Sequence, residues 1–424
     1  MRSGGHRGAP GAESGGSSPA GAPEPSPLRH PMATLRVGAL LTAIVGIGAL
    51  SIDTFLPSLP AIARQFRTDD ATAQLTVTLF LVAFAAAQLV FGPLSDRLGR
   101  RRVLLGGLGL YVAGALVATV APGTWVLVAA RVVQGLGAGT GPVVGRAIVR
   151  DVYPREHGAR VLALMATAQA LTPILAPILG GWLHVAFGWR SVFAVHAVLG
   201  AVFLAGARAS VAETAPRHDR AAPGLLGGAR TLLGDPAFSG HVAAVALVFS
   251  GQFAFISGSS FVLIGLLGVA PDRFGYAFGV VAFGLMTGSF LAARLGRAAG
   301  TRRLVRGGSL LAAASGVVMA ALPLAGRTSV AGIVAPMYLY AVGAGIVMPS
   351  GMAGAIGPFP RMAGLASALL GFVQMAGSAA YAIAVSRFYD GTARPMTVAI
   401  AVSGLACLAS SAALLRREVP GERP

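Results

Sequence analysis

Twelve apolar runs, six on each side of one polar break, constrain this 424-residue chain more than any other feature. A helix rises about 1.5 Å per residue, so crossing about 30 Å of hydrocarbon takes about 20 apolar residues. Runs of that kind lie near 37–59, 75–95, 103–121, 125–149, 160–184 and 190–208, and again near 240–263, 275–295, 304–325, 328–352, 362–386 and 396–415. Residues 209–237 form the one long polar interruption. The expected fold class is therefore an all-α membrane protein of 12 transmembrane helices in two six-helix bundles, 34–208 and 238–416, joined by a linker at 209–237. Residues 1–33 are rich in Gly, Pro, Ala and Ser without apolar periodicity and are expected to be a disordered tail, with a short second tail at 417–424. The first apolar run opens a long series, which favours a retained spanning helix over a cleaved signal segment.

Only 11% of the residues are charged and 55% are hydrophobic, too little charge to coat a water-soluble surface. The net charge of +18 comes from arginine alone and is scattered through the breaks between runs. Nucleic-acid binding needs basic residues gathered on one face, so it is excluded as an expectation. A single cysteine, Cys407, excludes an intrachain disulfide and a cysteine metal site. Positive residues in short loops stay on the cytoplasmic side. With the N-terminus inside, 25 arginines fall on that side and seven on the other, leaving Arg131 within a run. Both ends are expected in the cytoplasm.

The halves echo each other. RLGR occurs at 97 and at 294, and the stretch around Gln169 resembles that around Gln374. Paired bundles of this sort place a binding site between them. Of fifteen acidic residues, only Asp53 sits well inside a run. A charge near mid-membrane costs about 2.5–3.5 kcal/mol on insertion scales, so Asp53 asks for a partner, a proton or a water-filled cavity. Counting along the runs puts Asp53 and Arg131 at nearly equal depth in the outer half. If their helices are neighbours, pairing and release would switch the affinity of Asp53 for a proton. A static buried pair is the competing reading.

Residues 92–102, GPLSDRLGRRR, place two glycines, an aspartate and four arginines in a tight turn. Asp96 and Arg100 can form a charged latch there, with Gly92 and Gly99 permitting close backbone approach. This run resembles the loop motif of the major facilitator superfamily. LVAARVVQGLGAG (127–139) is similar to that family's second motif, which the resemblance associates with proton transfer through Arg131, Gln134 and Gly135. AQALTPILAPILGGW (168–182) is similar to its antiporter motif, in which Pro173, Pro177, Gly180 and Gly181 would kink a helix and seal one gate. A narrower resemblance, to the Bcr/CflA group of drug:proton antiporters, rests on SIDTFLPSLPAIARQF (51–66), AIVRDVYPREHGAR (147–160), FGWRSVF (187–193) and FAFISGSSFVL (253–263). It adds Arg150 and Asp151 to the latch and covers roughly 37–416. Ser260 stands where a proline is common in that group, and Ala293 stands where the first half has Asp96, so only the first latch is complete.

The resemblance implies a multi-pass protein of the bacterial cytoplasmic membrane, monomeric, taking drug-like small molecules and protons as partners and no cofactor. Gln134, Met165, Gln169, Gln252, Phe255, Tyr338 and Gln374 lie inside runs and offer amide, aromatic or thioether contacts to an amphipathic guest. His196 also lies inside a run, and packing is the preferred reading for it. The function expected is proton-coupled efflux of hydrophobic or amphipathic compounds by alternating access, with one carboxylate implying a one-proton cycle. The alternative is export of one endogenous metabolite or self-made antibiotic. No nucleophile–base pair or ligand cluster within the runs suggests an enzyme or a metal.

Overall fold

The computed structural model describes residues 35–214, 225–359 and 362–415. The tails expected at 1–33 and 417–424 lie outside the described residues. Among the described residues there is no β-strand, and 12 helical segments are long and apolar enough to cross a membrane.

The first crossing, Leu35–Phe66, is 32 residues long and broken. Helix α1 (Leu35–Asp53) ends in a turn, a single 3-10 turn follows at Leu56–Ser58, and α2 (Leu59–Phe66) completes it. The cause is Pro57 and Pro60, which lack the N–H groups that would bond the carbonyls of Asp53 and Leu56. Tighter bonds take over, from Phe55 N–H to the Ile52 carbonyl at 3.2 Å and from Ser58 N–H to the Phe55 carbonyl at 3.0 Å. The apolar run in the sequence ends near 59, and the structure extends the crossing by α2.

Helix α3 (Asp70–Leu98) starts at an Asp69 cap, whose carboxylate accepts from Thr72 N–H at 2.5 Å. Gly99 turns the chain into α4 (Arg100–Thr119) with φ of 101°, a conformation other residues rarely adopt. Helices α5 (Thr124–Val152), α6 (Arg155–Phe187) and α7 (Arg190–Ser210) complete the first half. A short helix α8 (Leu225–Gly234) leads into α9 (Pro236–Ser260), which runs into a π-helical turn at Phe261–Leu266. Helix α10 (Pro271–Leu324) breaks at Gly300, φ 73°, and its two arms each supply one crossing. Helices α11 (Val330–Ile356), α12 (Ala363–Arg387) and α13 (Arg394–Leu415) follow. Gly99 and Gly300 make the corresponding turns 201 positions apart, whereas the two RLGR strings lie 197 apart. The second-half helix continues about one turn past its RLGR before it breaks, so the textual echo and the structural one are out of register.

The apolar core is joined at one end of the molecule and divided at the other. One cluster unites both halves, including Phe55, Leu59, Phe80 and Phe193 with Phe255, Phe261, Phe274 and Tyr340. Towards the arginine-rich end there are two separate clusters. One holds Leu41, Val45, Leu104, Ile148 and Met165 of the first half, the other Phe238, Val245 and Leu370 of the second, with Leu232 of α8 packed among them. Direct cross-half contacts are concentrated at the arginine-poor end: the Ser386 hydroxyl donates to the Ala71 carbonyl at 3.2 Å, and Asp70 is hydrogen-bonded to Tyr389. Apolar surface in contact resists separation roughly in proportion to its area. This conformation is therefore shut at the arginine-poor end.

Candidate functional site

Asp53 is the last residue of α1, beside the proline-induced break. It retains 5% of its surface accessible, and among the described residues no donor or cation lies within bonding distance of its carboxylate. Arg131, in α5, is 0% exposed. Its Nε donates to the Thr76 carbonyl at 3.2 Å and its Nη1 to Gln134 Oε1 at 2.8 Å, while Nη2 is buried without a partner. Its guanidinium lies 4.0 Å from the centre of the Phe80 ring, 4.9 Å from Phe55 and 5.9 Å from Phe193. Three aromatic faces thus take the place of a counter-ion, an interaction that strengthens when water is excluded. Asp53 and Arg131 do not form an ion pair in this conformation.

A chain of hydrogen bonds nevertheless leads from one towards the other. Gln134, oriented by Arg131, presents its amide nitrogen to His196 Nδ1 at 3.4 Å. His196 Nε2 lies 2.7 Å from the Thr54 hydroxyl, which donates to the Leu50 carbonyl at 2.6 Å. Nδ1 accepts from an amide and Thr54 has already spent its proton, so the imidazole is neutral with its hydrogen on Nε2. Alongside, Tyr111 OH meets Ser51 Oγ at 2.6 Å, and Ser51 donates to the Ile47 carbonyl at 2.7 Å. Ser51, Thr54, Tyr111 and His196 are all buried polar residues within apolar runs. That is the signal by which the sequence could have identified them as a group.

The latch at the arginine-rich end is wider than the turn itself. Arg100 Nη1 meets Asp96 Oδ1 at 2.5 Å and Ser95 Oγ at 2.7 Å, and its Nε meets Asp151 Oδ2 at 3.2 Å. The Asp96 side chain is 60% exposed and that of Asp151 19%, so solvent screens the first pair more. Glu213, which the sequence reading missed, accepts from the Arg100 backbone N–H at 2.7 Å and so caps α4 from 113 residues away. A Cβ on Gly99 would run into that Glu213 carboxylate. Gly92 packs near Val143, and Arg150 is exposed in the last turn of α5.

Pro173 and Pro177 lie inside α6, which stays helical through both. Gly180 sits on the Thr54 carbonyl, within the first half. Gly181 sits on the backbone of Pro271 and Asp272 at the start of α10, and Gly275 of α10 sits on the backbone of Ile178. The two glycines therefore bring the halves together main chain to main chain.

The expected cavity residues separate. Gln134 belongs to the Arg131 network, and Met165 is packed in the first-half apolar cluster. Phe255 stacks on Phe278 with ring centres 5.7 Å apart. Gln252 is buried with Oε1 unpartnered, Gln374 is buried, and Gln169 and Tyr338 are half-buried. The fully buried tyrosine of α11 is Tyr340, whose hydroxyl donates to the Val248 carbonyl at 3.1 Å.

Two six-helix halves joined at one end and divided at the other, with polar groups buried along broken helices, are the architecture of a membrane transporter built from paired bundles. The Major Facilitator Superfamily model matches residues 41–384, and the chain belongs to that family. It is 34% identical over 277 residues to an uncharacterized MFS-type transporter, YdgK, of Bacillus subtilis, covering 64% of this chain and 69% of the relative. It is 31% identical over 272 residues to a bicyclomycin resistance protein homolog of Haemophilus influenzae, covering 62% and 68%. The fold is similar to that of a peptide transporter, POT, crystallised with sulfate, with a TM-score of 0.71 at 15% identity over 89% of this chain and 93% of that one. The protein is thus a multi-pass transporter of a bacterial cytoplasmic membrane, and its likeness to resistance transporters accords with the Bcr/CflA resemblance.

Proposed function

We propose that this transporter exports small hydrophobic or amphipathic compounds in exchange for protons. The arginine bias supports an orientation with both ends in the cytoplasm, so the divided end opens to the cell interior and the shut end faces outward. The likeness to a bicyclomycin resistance protein homolog supports a drug-like cargo.

The observation that carries the proton role is Asp53: one buried carboxylate, unpaired, at a helix break, with a trace of accessible surface. Protonated, it sits in the apolar core at little cost; ionised, it needs water or a cation. Arg131 is the cation within reach of another conformation, held meanwhile among Phe55, Phe80 and Phe193. Loss of the proton draws the two together, and protonation releases Arg131 to its aromatic box. Asp96, Arg100 and Asp151, with Gly92, Gly99 and Arg150 around them, act as the inner latch. Pro173, Pro177, Gly180 and Gly181 shape the outer gate. Gln169, Gln252, Phe255, Tyr338 and Gln374 are the proposed contacts for the cargo, and the working unit is a single chain in the bilayer.

The test is transport into inside-out vesicles with and without a proton gradient, using a panel of amphipathic dyes and antibiotics that includes bicyclomycin. Asp53→Asn should abolish gradient-driven transport while leaving the inserted, monodisperse fraction unchanged. Gradient-dependent transport by that variant would refute the assignment.

A further inference from the structure

His196 lies outside the roles assigned so far, and its surroundings are specific. Its ring stands edge-on to Phe193 with centres 5.9 Å apart and lies 6.5 Å from the Tyr111 ring, so its orientation is fixed by packing. Both ring nitrogens are engaged, one by Gln134 of α5 and one by Thr54 at the α1 break. Gln134 is held by Arg131 at 2.8 Å. Thr54 follows Asp53 directly, and its carbonyl is the surface on which Gly180 of α6 rests. The donors run in one direction throughout, from the Arg131 guanidinium through the Gln134 amide and the imidazole to the Thr54 hydroxyl and the Leu50 carbonyl. A chain in which each link passes from a donor to an acceptor resists stretching at any single link, because breaking one bond strands a buried polar group.

We propose that His196 is a positioning residue: as a neutral imidazole it ties the Arg131–Gln134 pair to the α1 break, so that Arg131 movement shifts Asp53 and the Gly180 seat together. It does not carry the transported proton in this role, since Nδ1 is already accepting and Nε2 already donating. The inference rests on the proton-coupled reading of Asp53. Without the link, Arg131 can leave its aromatic box while the α1 break stays where it is, and the conformational step becomes uncoupled from the charge step.

The experiment compares turnover and KM in inside-out vesicles for His196→Leu, Thr54→Val, the double variant and His196→Gln, using the panel compound that the parent transports fastest. Glutamine is neutral and places an acceptor and a donor about as far apart as the two imidazole nitrogens. His196→Leu and Thr54→Val should each lower turnover at least fivefold with KM within twofold of the parent. The double variant should be no slower than the slower single one, because both remove the same link. His196→Gln should recover to within threefold of the parent. Parental turnover in either single variant, additive losses in the double, or a glutamine variant as slow as the leucine one overturns the proposal. If His196→Leu is not recovered in the membrane, Thr54→Val must still be slow and His196→Gln fast for the proposal to stand. The Asp53→Asn vesicles separate the two readings. Gradient-driven transport in that variant defeats the proton assignment, whereas its loss alongside parental rates in the His196 and Thr54 variants defeats only the positioning role.

Discussion

Replacing Gly181 by alanine tests whether the shut end is held by main-chain contact between the halves. A Cβ at Gly181 would lie 2.9 Å from the Pro271 carbonyl carbon and 3.0 Å from the Asp272 Cα. The Pro271 carbonyl oxygen would be nearer still; carbon atoms pack at about 3.5–4.0 Å, so the carbon contacts alone require α6 and α10 to part by at least about 0.5 Å, and the oxygen demands more. No flexible side chain is available to yield, because the atoms met are backbone on both sides, and Gly275 faces the same constraint from Ile178. Overpacking of this kind costs about 1–3 kcal/mol, which shifts the shut-to-open ratio by about 5- to 150-fold if the open state is unaffected. The readout is alkylation of a cysteine placed at Ser386, buried where α12 meets α3 in the shut state. The native Cys407 is fully buried and supplies little background. A membrane-impermeant maleimide should label Ser386→Cys at least fivefold faster when Gly181→Ala is added. Gly109→Ala is the control, since a Cβ there meets nothing within 4 Å. Equal labelling of the Gly181→Ala, Gly109→Ala and parent forms would refute the claim that this seat holds the gate.

Three further outcomes follow from the same geometry. Gly99→Ala forces a side chain into a backbone conformation with φ of 101° and against Glu213, which should cost about 1–3 kcal/mol, visible as a lower melting temperature in detergent. In the latch, Asp151→Ala should slow transport and lower stability more than Asp96→Ala, because Asp151 is the less exposed partner of Arg100. At the start of α3, the Asp69 carboxyl is held below its ordinary range by bonds from the backbone and side chain of Thr72. A depressed value stabilises the folded state above the unfolded carboxyl range, near pH 4, and that stability is lost as pH falls through the folded value. Asp69→Ala should therefore lower the melting temperature at pH 6, with a helix-cap loss of about 0.5–2 kcal/mol, and the gap to the parent should narrow in acid.

The number of crossings was legible because each is a local property: about twenty apolar residues in a row announce themselves without reference to the rest of the chain. The break after Asp53 could have been read from Pro57 and Pro60, yet the apolar run continues through both and masks it. The turn at Gly300 illustrates the opposite error, since the eye follows the repeated RLGR while the backbone follows the glycine four residues later. Glu213 could not be found from spacing, because it reaches the α4 terminus from 113 positions away, through tertiary packing alone. Met165 looked like a cargo contact by chemistry, but which face of α6 meets the apolar cluster is decided by how helices pack. The sequence favours packing for His196, and it is packed; what the sequence could not supply is that Gln134 and Thr54, far apart in the chain, meet its two nitrogens.

The seat beneath Gly180 has an evolutionary corollary. What that glycine rests on is a peptide carbonyl, present whatever side chain occupies position 54. Mutation on the α1 side can change the hydroxyl that binds His196 but cannot remove the ledge itself. Adjustment of how tightly α6 beds down there is left to a single hydrogen atom on one glycine, which the smallest replacement already oversteps.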